Sequence, residues 1–349
     1  MRCNYGYGYK GRRRKGFTLI ELLVVVAIIA LLISILLPSL SSARKQARAV
    51  KCAANLRSVG QAFGLYLAEN NAMFPPSYMY PHNAAGDVDL NNQPYDHAYG
   101  YVHWSYFLFN NGQVKWEAFE CPDFPKGGTP RTNPGPLKYD WEYGAQRDQN
   151  SQSEPNALQD RQAPRMAYTA NAAVIPRNKL KAYMVPGKPR HNQFVSEARI
   201  SEPRGVIVAG ELHTNWKASA IGSGGGYLSK SHRSVSAFFN ESTNADEYAA
   251  PNYGGFYYGI PGHPTYGLRP LNELEDMIGV IETGADGPEV NAIGRHHPGG
   301  DKLGGTSNFL YTDGHVERKT ILQTMKDREW GSEYYSLTGG GTKIRNENE

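Results

Sequence analysis

Cysteine is scarce, with three in 349 residues, so a disulfide-dense scaffold is excluded as the source of stability. Cys3 falls within the first sixteen residues, which leaves Cys52 and Cys121 for the rest of the chain. These two form either one disulfide or two free buried thiols, and both readings stay open at this stage. Acidic residues are absent from residues 1–16, which carry Arg2, Lys10, Arg12, Arg13, Arg14 and Lys15. That basic group outweighs the +4 formal charge of the whole chain, so the remainder is slightly negative. A near-neutral remainder gives no support to general nucleic-acid binding, and no nucleic-acid partner is expected. Catalytic signatures are also missing. The chain has no Gly-rich phosphate loop ending in Lys-Ser or Lys-Thr, no Gly-x-Ser-x-Gly elbow and no His-Glu-x-x-His. Glu69, Glu211 and Glu317 show no pairing that suggests glycosidase chemistry. Asp87 and Asp89 sit in an early loop without EF-hand spacing. His296, His297, Asp313 and His315 could be drawn together as a metal set, but a histidine beside a turn more often faces solvent. No enzyme activity, cofactor or metal is therefore expected.

What the sequence does have is a long apolar run. From Phe17 to Leu37 the only charged residue is Glu21, and no Gly or Pro interrupts before Pro38. Twenty-one helical residues reach about 31 Å, the thickness of a bilayer core. A secretory signal peptide has a basic head too, but its apolar core is shorter. Glu21 sets this run apart, because a carboxylate inside a membrane helix costs about 2.5–3.5 kcal/mol on insertion scales and marks function by default. Charge does not orient the span: the basic head lies before it, and Arg44, Lys45, Arg48, Lys51 and Arg57 follow with no acid until Glu69.

The order Arg12-Arg13-Arg14-Lys15-Gly16-Phe17-Thr18-Leu19-Ile20-Glu21 resembles the type IV prepilin and type II secretion pseudopilin signature. The resemblance implies a membrane peptidase that cuts between Gly16 and Phe17 and methylates the new amine of Phe17. It makes Glu21 the fifth residue of the processed chain. An ammonium left in a membrane needs a counter-charge, and Glu21 of a neighbouring subunit, or of the same chain, supplies one. It also implies an inner-membrane, single-pass protein with its leader in the cytoplasm and its body outside, either alone or in a pilus or pseudopilus. The expected partners are prepilin peptidase, other pilin-like subunits, the inner-membrane secretion or pilus machinery, and the lipid bilayer.

Helical periodicity continues beyond Pro38. Cys52, Leu56, Val59, Phe63 and Tyr66 recur at intervals of three or four and form one apolar face. The pattern stops near Asn70-Asn71, ahead of Pro75-Pro76. Pro38 is expected to kink or loosen the helix at the membrane exit. Residues 72–337 read as an exported β-rich domain. Residues 124–165 read as surface loop, Met166–Val174 and Gly205–Glu211 as strands, and 338–349 as a flexible tail. Asp313-Gly314 between Ser307–Thr312 and His315–Val316 predicts a two-residue hairpin turn with both turn positions at positive φ, in a hairpin near 307–320. Arg295-His296-His297, then Asp313-Gly314-His315-Val316, resembles the "H-X9-DG" domain of pseudopilin-like proteins. Here the spacer is longer, and an insertion around Gly299–Gly305 explains the excess.

The fold class expected is α+β, type IV pilin-like: a basic leader (1–16), a long N-terminal helix (17–71, membrane-spanning over 17–37) packed on an antiparallel sheet, and long loop insertions. The function expected is that of a structural pseudopilin in protein secretion. Two alternatives stand beside it: a minor pilin or surface protein for adhesion, DNA uptake or glycan binding, and an exported hydrolase.

Overall fold

The computed structural model describes residues 16–89, 93–94, 99–137, 142, 158–175, 177, 194–223, 226–240, 256–259, 265–275, 278–279, 289–335 and 344–345. The basic leader before Gly16 and most of the C-terminal tail lie outside them. Two compact units are present, residues 1–45 and 46–349.

The first unit is the opening half of helix α1 (Leu19–Glu69). Every large apolar side chain from Phe17 to Leu40 is exposed. The helical assignment runs through Pro38 without a break. Pro38 brings no backbone N–H for the Ser34 carbonyl, and flanking helical bonds carry the segment past that gap.

The second unit contains the remainder of α1 and the body. Here α1 turns amphipathic and buries Ala49, Cys52, Leu56, Val59, Ala62, Phe63, Tyr66 and Leu67. These include all five residues of the face read from periodicity. Phe63 stacks on Trp104, with ring centroids 5.5 Å apart. The helix ends at Asn71 and Ala72, both at φ +54°, where the Ala72 N–H donates back to the Leu67 carbonyl (2.8 Å). That left-handed cap closes α1 before the two prolines.

Helix α1 packs against a five-stranded antiparallel sheet of β1 (Tyr168–Ala170), β2 (Ile207–Glu211), β3 (His297–Asp301), β4 (Gly304–Tyr311) and β5 (Val316–Lys319). Its order is β3-β4-β2-β1, with β5 also paired to β4. The long β4 is the hub: it pairs β3 through His297 and Thr306, β5 through Leu310 and Val316, and β2 through Phe309 and Gly210. Both of its faces are buried from Thr306 onward. Even-numbered residues face α1: Asn308 donates to the Ala49 carbonyl (3.3 Å), and Leu310 lies under Gly60. Odd-numbered residues face away, with Phe309 edge-on to Trp330 (6.1 Å) and Tyr311 donating to Glu329 (2.8 Å).

Gly60 shows how closely helix and sheet approach. A Cβ there would lie 2.6 Å from Leu310 Cδ1 and 3.3 Å from the Gly314 carbonyl, whereas one on exposed Gly64 would meet nothing within 4 Å. Gly60→Val is therefore expected to lower stability by about 1–3 kcal/mol through overpacking. Gly64→Ala should raise it by up to about 1 kcal/mol through helix propensity alone. Urea unfolding of the detergent-solubilised chain, followed by near-ultraviolet circular dichroism, measures both.

Two sequence readings are corrected, and one element is new. The β4–β5 turn is not a two-residue one. Tyr311 N donates to the His315 carbonyl and Gly314 N to the Tyr311 carbonyl, each at 2.9 Å, which closes a three-residue connection. Of its residues only Gly314 has positive φ (+86°). Asp313 stays on the ordinary side because its Oδ1 accepts from the His315 N–H (3.1 Å), so Gly314 alone takes the left-handed position. The new element is a short helix, α2 (Trp104–Phe109), which His103 caps by accepting from the Ser105 N–H through its Nδ1. The second correction is that residues 124–165 are not a surface loop throughout. Thr129, Thr132, Asn133, Asp160 and Gln162 are buried. Asp160 accepts from the backbone N–H groups of Tyr101 and Asn133 (2.9 Å each) and from Asn133 Nδ2 (2.6 Å). Burial still pushes its carboxyl up to about 7. Polar composition suggested solvent, but these groups satisfy one another inside.

Candidate functional site

Two sites emerge, one at each end of the argument from sequence. The first is the start of α1. Thr18 precedes the first helical residue and Glu21 follows three positions later. Glu21 N donates to Thr18 Oγ1 (3.2 Å), while Thr18 N and Oγ1 donate to Glu21 Oε2 (2.9 and 2.8 Å). This is a capping box, and it satisfies donors that a helix start leaves orphaned. The carboxylate inside the apolar run thus has a partner within its own chain. The sequence reading considered only chain termini as its partners. The Thr-x-x-Glu spacing was the signal that would have found Thr18. Gly16 and Phe17 lie just outside the helix, and Phe17 is 71% exposed. A side chain on Gly16 would meet nothing within 4 Å. Among the described residues, nothing in the packing requires a glycine there.

The second site lies between the buried face of α1 and the sheet. Cys52, from α1, is bonded to Cys121, which follows the turn at Trp116–Phe119; their Cα atoms are 5.0 Å apart. The link closes a sequence separation of 69 residues, for which chain entropy gives about 4 kcal/mol. Tyr168 of β1 donates to the Cys52 carbonyl (2.9 Å), and Asn55 donates to the Glu120 carbonyl (2.8 Å). Polar clamps therefore flank the bond on both sides.

Beside it sits Glu211, the last residue of β2, fully buried. Its Oε1 faces His297 Nε2 (2.8 Å) and accepts from Asn308 Nδ2 (2.9 Å). Its Oε2 accepts from Asn308 N (2.8 Å) and Ser307 Oγ (3.2 Å). Burial alone would push this carboxyl up. The His297 hydrogen bond, the charges of His296 and His297, and the Asn308 amide more than reverse it, so it ends below its usual value. The other ring nitrogen of His297, Nδ1, faces Asp123 Oδ2 (3.1 Å). His296 Nε2 lies 3.8 Å from Cys121 Sγ. Burial holds the His296 ring below its usual value, against the opposing pull of Glu211.

The structure thus divides the predicted motif residues. His296 and His297 join the two cysteines. Asp313, Gly314 and His315 form the β4–β5 turn, where the His315 ring stacks on Tyr311 (4.2 Å) and its Nδ1 meets Asp313 Oδ1 (2.5 Å). Glu211 and Asp123 were not read as site residues from sequence. Asp87, in the early loop, is engaged locally by Asn83 Nδ2 (2.7 Å).

Of the comparisons with known proteins, the family-model match falls on the first site. Residues 11–37 match the family model of the prokaryotic N-terminal methylation motif. The chain is 46% identical over 61 residues to the type IV wide pilus major component PilA4 of Thermus thermophilus, covering 18% of this chain and 47% of that protein. It is 35% identical over 65 residues to the type II secretion system core protein G of Pectobacterium carotovorum (19% and 42%). It is 31% identical over 83 residues to the corresponding protein of Aeromonas hydrophila (24% and 53%). The chain spans about half the length of the curated relatives it matches. No solved structure matches. With its exposed apolar helix and its capped acid, this chain carries a match to the prokaryotic N-terminal methylation motif over residues 11–37 and is similar over part of its length to pilus and type II secretion proteins.

Proposed function

We propose that the chain is a structural pseudopilin-like subunit that is processed at its N-terminus and assembled through α1, in protein secretion. The single observation that carries this is the uncovered apolar run from Phe17 to Leu40, whose only charged residue is a carboxylate held at the helix start. An apolar surface of that extent is not left open to water; lipid first and neighbouring helices later are what cover it. Residues 1–16 are the leader, 17–71 the helix with its span at 17–37, and 72–337 the exported body. Prepilin peptidase cuts between Gly16 and Phe17 and methylates Phe17. Gly16 supports that reading: with open space around it, its smallness answers to an external active site rather than to this fold. Glu21 then pairs with the amine of a neighbouring subunit's first residue and sets the axial register. Its place beside Thr18, one turn from the cut, keeps the carboxylate at the right depth for that exchange.

The body plays a mechanical part. Its Cys52–Cys121 link suits an exported domain. His297 and Asp313 are read as the His and Asp-Gly of an H-X9-DG-like segment. The excess spacer then corresponds to the hairpin formed by β3 and β4 around residues 301–304. The leader lies in the cytoplasm and the body outside the inner membrane.

Mass spectrometry of the membrane-extracted chain is the direct test. The expected N-terminus is Phe17 carrying one added methyl group. An intact Met1, or a start beyond the apolar run, would remove the basis of the proposal.

A further inference from the structure

The buried cluster contains more than a disulfide needs. A disulfide requires two Cβ atoms at the right separation. It does not require a fully buried carboxylate, a histidine between two carboxylates, and a second histidine at its flank. Gathering such groups in an interior carries a desolvation cost. Donor atoms of Cys52, Cys121, Glu211 and His297 all lie within 4.8 Å of one another, and all four residues are buried. We propose that, when the disulfide is reduced, these four side chains form a zinc site, so that the S–S bond and the metal are alternative occupants of one buried place.

Three features support a metal here. The ligand types, two thiolates, an imidazole and a carboxylate, suit tetrahedral zinc. Bond lengths of about 2.0–2.3 Å put tetrahedral donors roughly 3.3–3.8 Å apart, so the two sulfurs and the His297–Glu211 pair (2.8 Å) move apart while the wider pairs, up to 4.8 Å, close in by about 1–1.5 Å. The outer contacts are those a metal centre uses. His297 turns its far nitrogen to Asp123 (3.1 Å), the carboxylate–histidine–metal arrangement that fixes the ring. Glu211 is held by Ser307 and by both nitrogens of Asn308, which aim the carboxylate at the sulfurs. His296 Nδ1 makes no hydrogen bond among the described residues, while its Nε2 stands 3.8 Å from Cys121 Sγ, ready to donate to a thiolate. There is also an approach. A groove of about 550 Å³, lined by Lys51, Asn55, Glu120 and Pro122, is backed by Cys121.

The chemistry balances with a reductant. A dithiol donates two electrons and two protons to the S–S bond and becomes a disulfide itself. Zinc then displaces the two thiol protons and takes the Nε2 lone pair of neutral His297, whose one ring proton sits on Nδ1 toward Asp123. The inference does not depend on the assembly reading, because it concerns only the body.

The test uses the full chain in detergent, reduced with a dithiol, desalted without oxygen, and loaded with zinc or cobalt(II). The expected result is about one metal per reduced chain, none on the oxidised chain, and cobalt bands of thiolate charge transfer with tetrahedral d–d absorption. Asp123→Asn should weaken binding by about 10–100-fold, and His297→Ala by more. Folding is followed by circular dichroism in parallel. The proposal is overturned if the reduced chain holds no more metal than a Cys52→Ser/Cys121→Ser variant, or binds it equally well as His297→Ala. A chain that unfolds on reduction and does not refold with zinc overturns it too.

Discussion

Replacing Glu211 with alanine is expected to cost about 3–5 kcal/mol of body stability, the scale of breaking a buried ion pair by removing one partner. The carboxylate takes hydrogen bonds from Asn308 N, Asn308 Nδ2 and Ser307 Oγ, and it faces His297 Nε2. Alanine removes that acceptor from Asn308 N, Ser307 Oγ and His297 Nε2, while Asn308 Nδ2 keeps the Ala49 carbonyl (3.3 Å), and each orphaned donor carries about 1–3 kcal/mol of desolvation. Glu211→Gln keeps the shape and one acceptor oxygen, but puts an amide donor against donors, so it should fall between wild type and alanine. The pH dependence follows from the sign of the shift. The folded carboxyl sits below its unfolded value, so its contribution is present above the ordinary carboxylate range and is lost as pH falls through the folded value. Urea midpoints taken at neutral pH and again below the ordinary carboxylate range should show the gap to Glu211→Gln shrinking with acid. A gap that holds constant or widens would mean that the negative charge contributes nothing at this position.

Much of the architecture was legible because it is periodic and local. The buried face of α1 could be read from intervals of three and four, and the stop at Asn70-Asn71 from polar residues ahead of two prolines. The strand β2 stood out as a short apolar run between breakers. The hairpin was visible from Asp313-Gly314, but its turn type was not. That choice rests on one side-chain hydrogen bond, from the His315 N–H to Asp313. The buried cluster was harder still. Cys52, Cys121, Asp123, Glu211 and His297 come from a helix, a turn and two strands far apart in the chain, and no spacing rule joins them. Only the pairing of β4 with both β2 and β3 brings Glu211 and His297 together. The polar segment near Asp160 misled for a related reason. Composition distinguishes polar from apolar, yet it does not reveal whether polar groups find one another inside.

Glu21→Leu is expected to insert into the membrane normally and to abolish incorporation into an assembled filament or pseudopilus. Insertion should if anything improve, since the change removes about 2.5–3.5 kcal/mol of cost from the span. The capping box makes a sharper experiment available. Glu21→Leu removes both the charge and the acceptor that Thr18 uses, so failure to assemble could reflect a frayed helix start rather than a lost ion pair. Glu21→Gln separates the two, because glutamine serves at the same position of a capping box but carries no charge. Thr18→Val makes the opposite change and weakens the cap, typically by about 1 kcal/mol, while leaving the carboxylate in place. If the charge sets register against a neighbour's ammonium, Gln should fail as completely as Leu, and Val should assemble. If the carboxylate serves only to cap α1, Gln should assemble and Val should be impaired. Co-purification of tagged and untagged subunits from membranes, with total insertion measured in the same extract, distinguishes these outcomes. The low dielectric around the apolar run is why the charge is expected to dominate: an ammonium with no partner there costs several kcal/mol, more than a frayed first turn does.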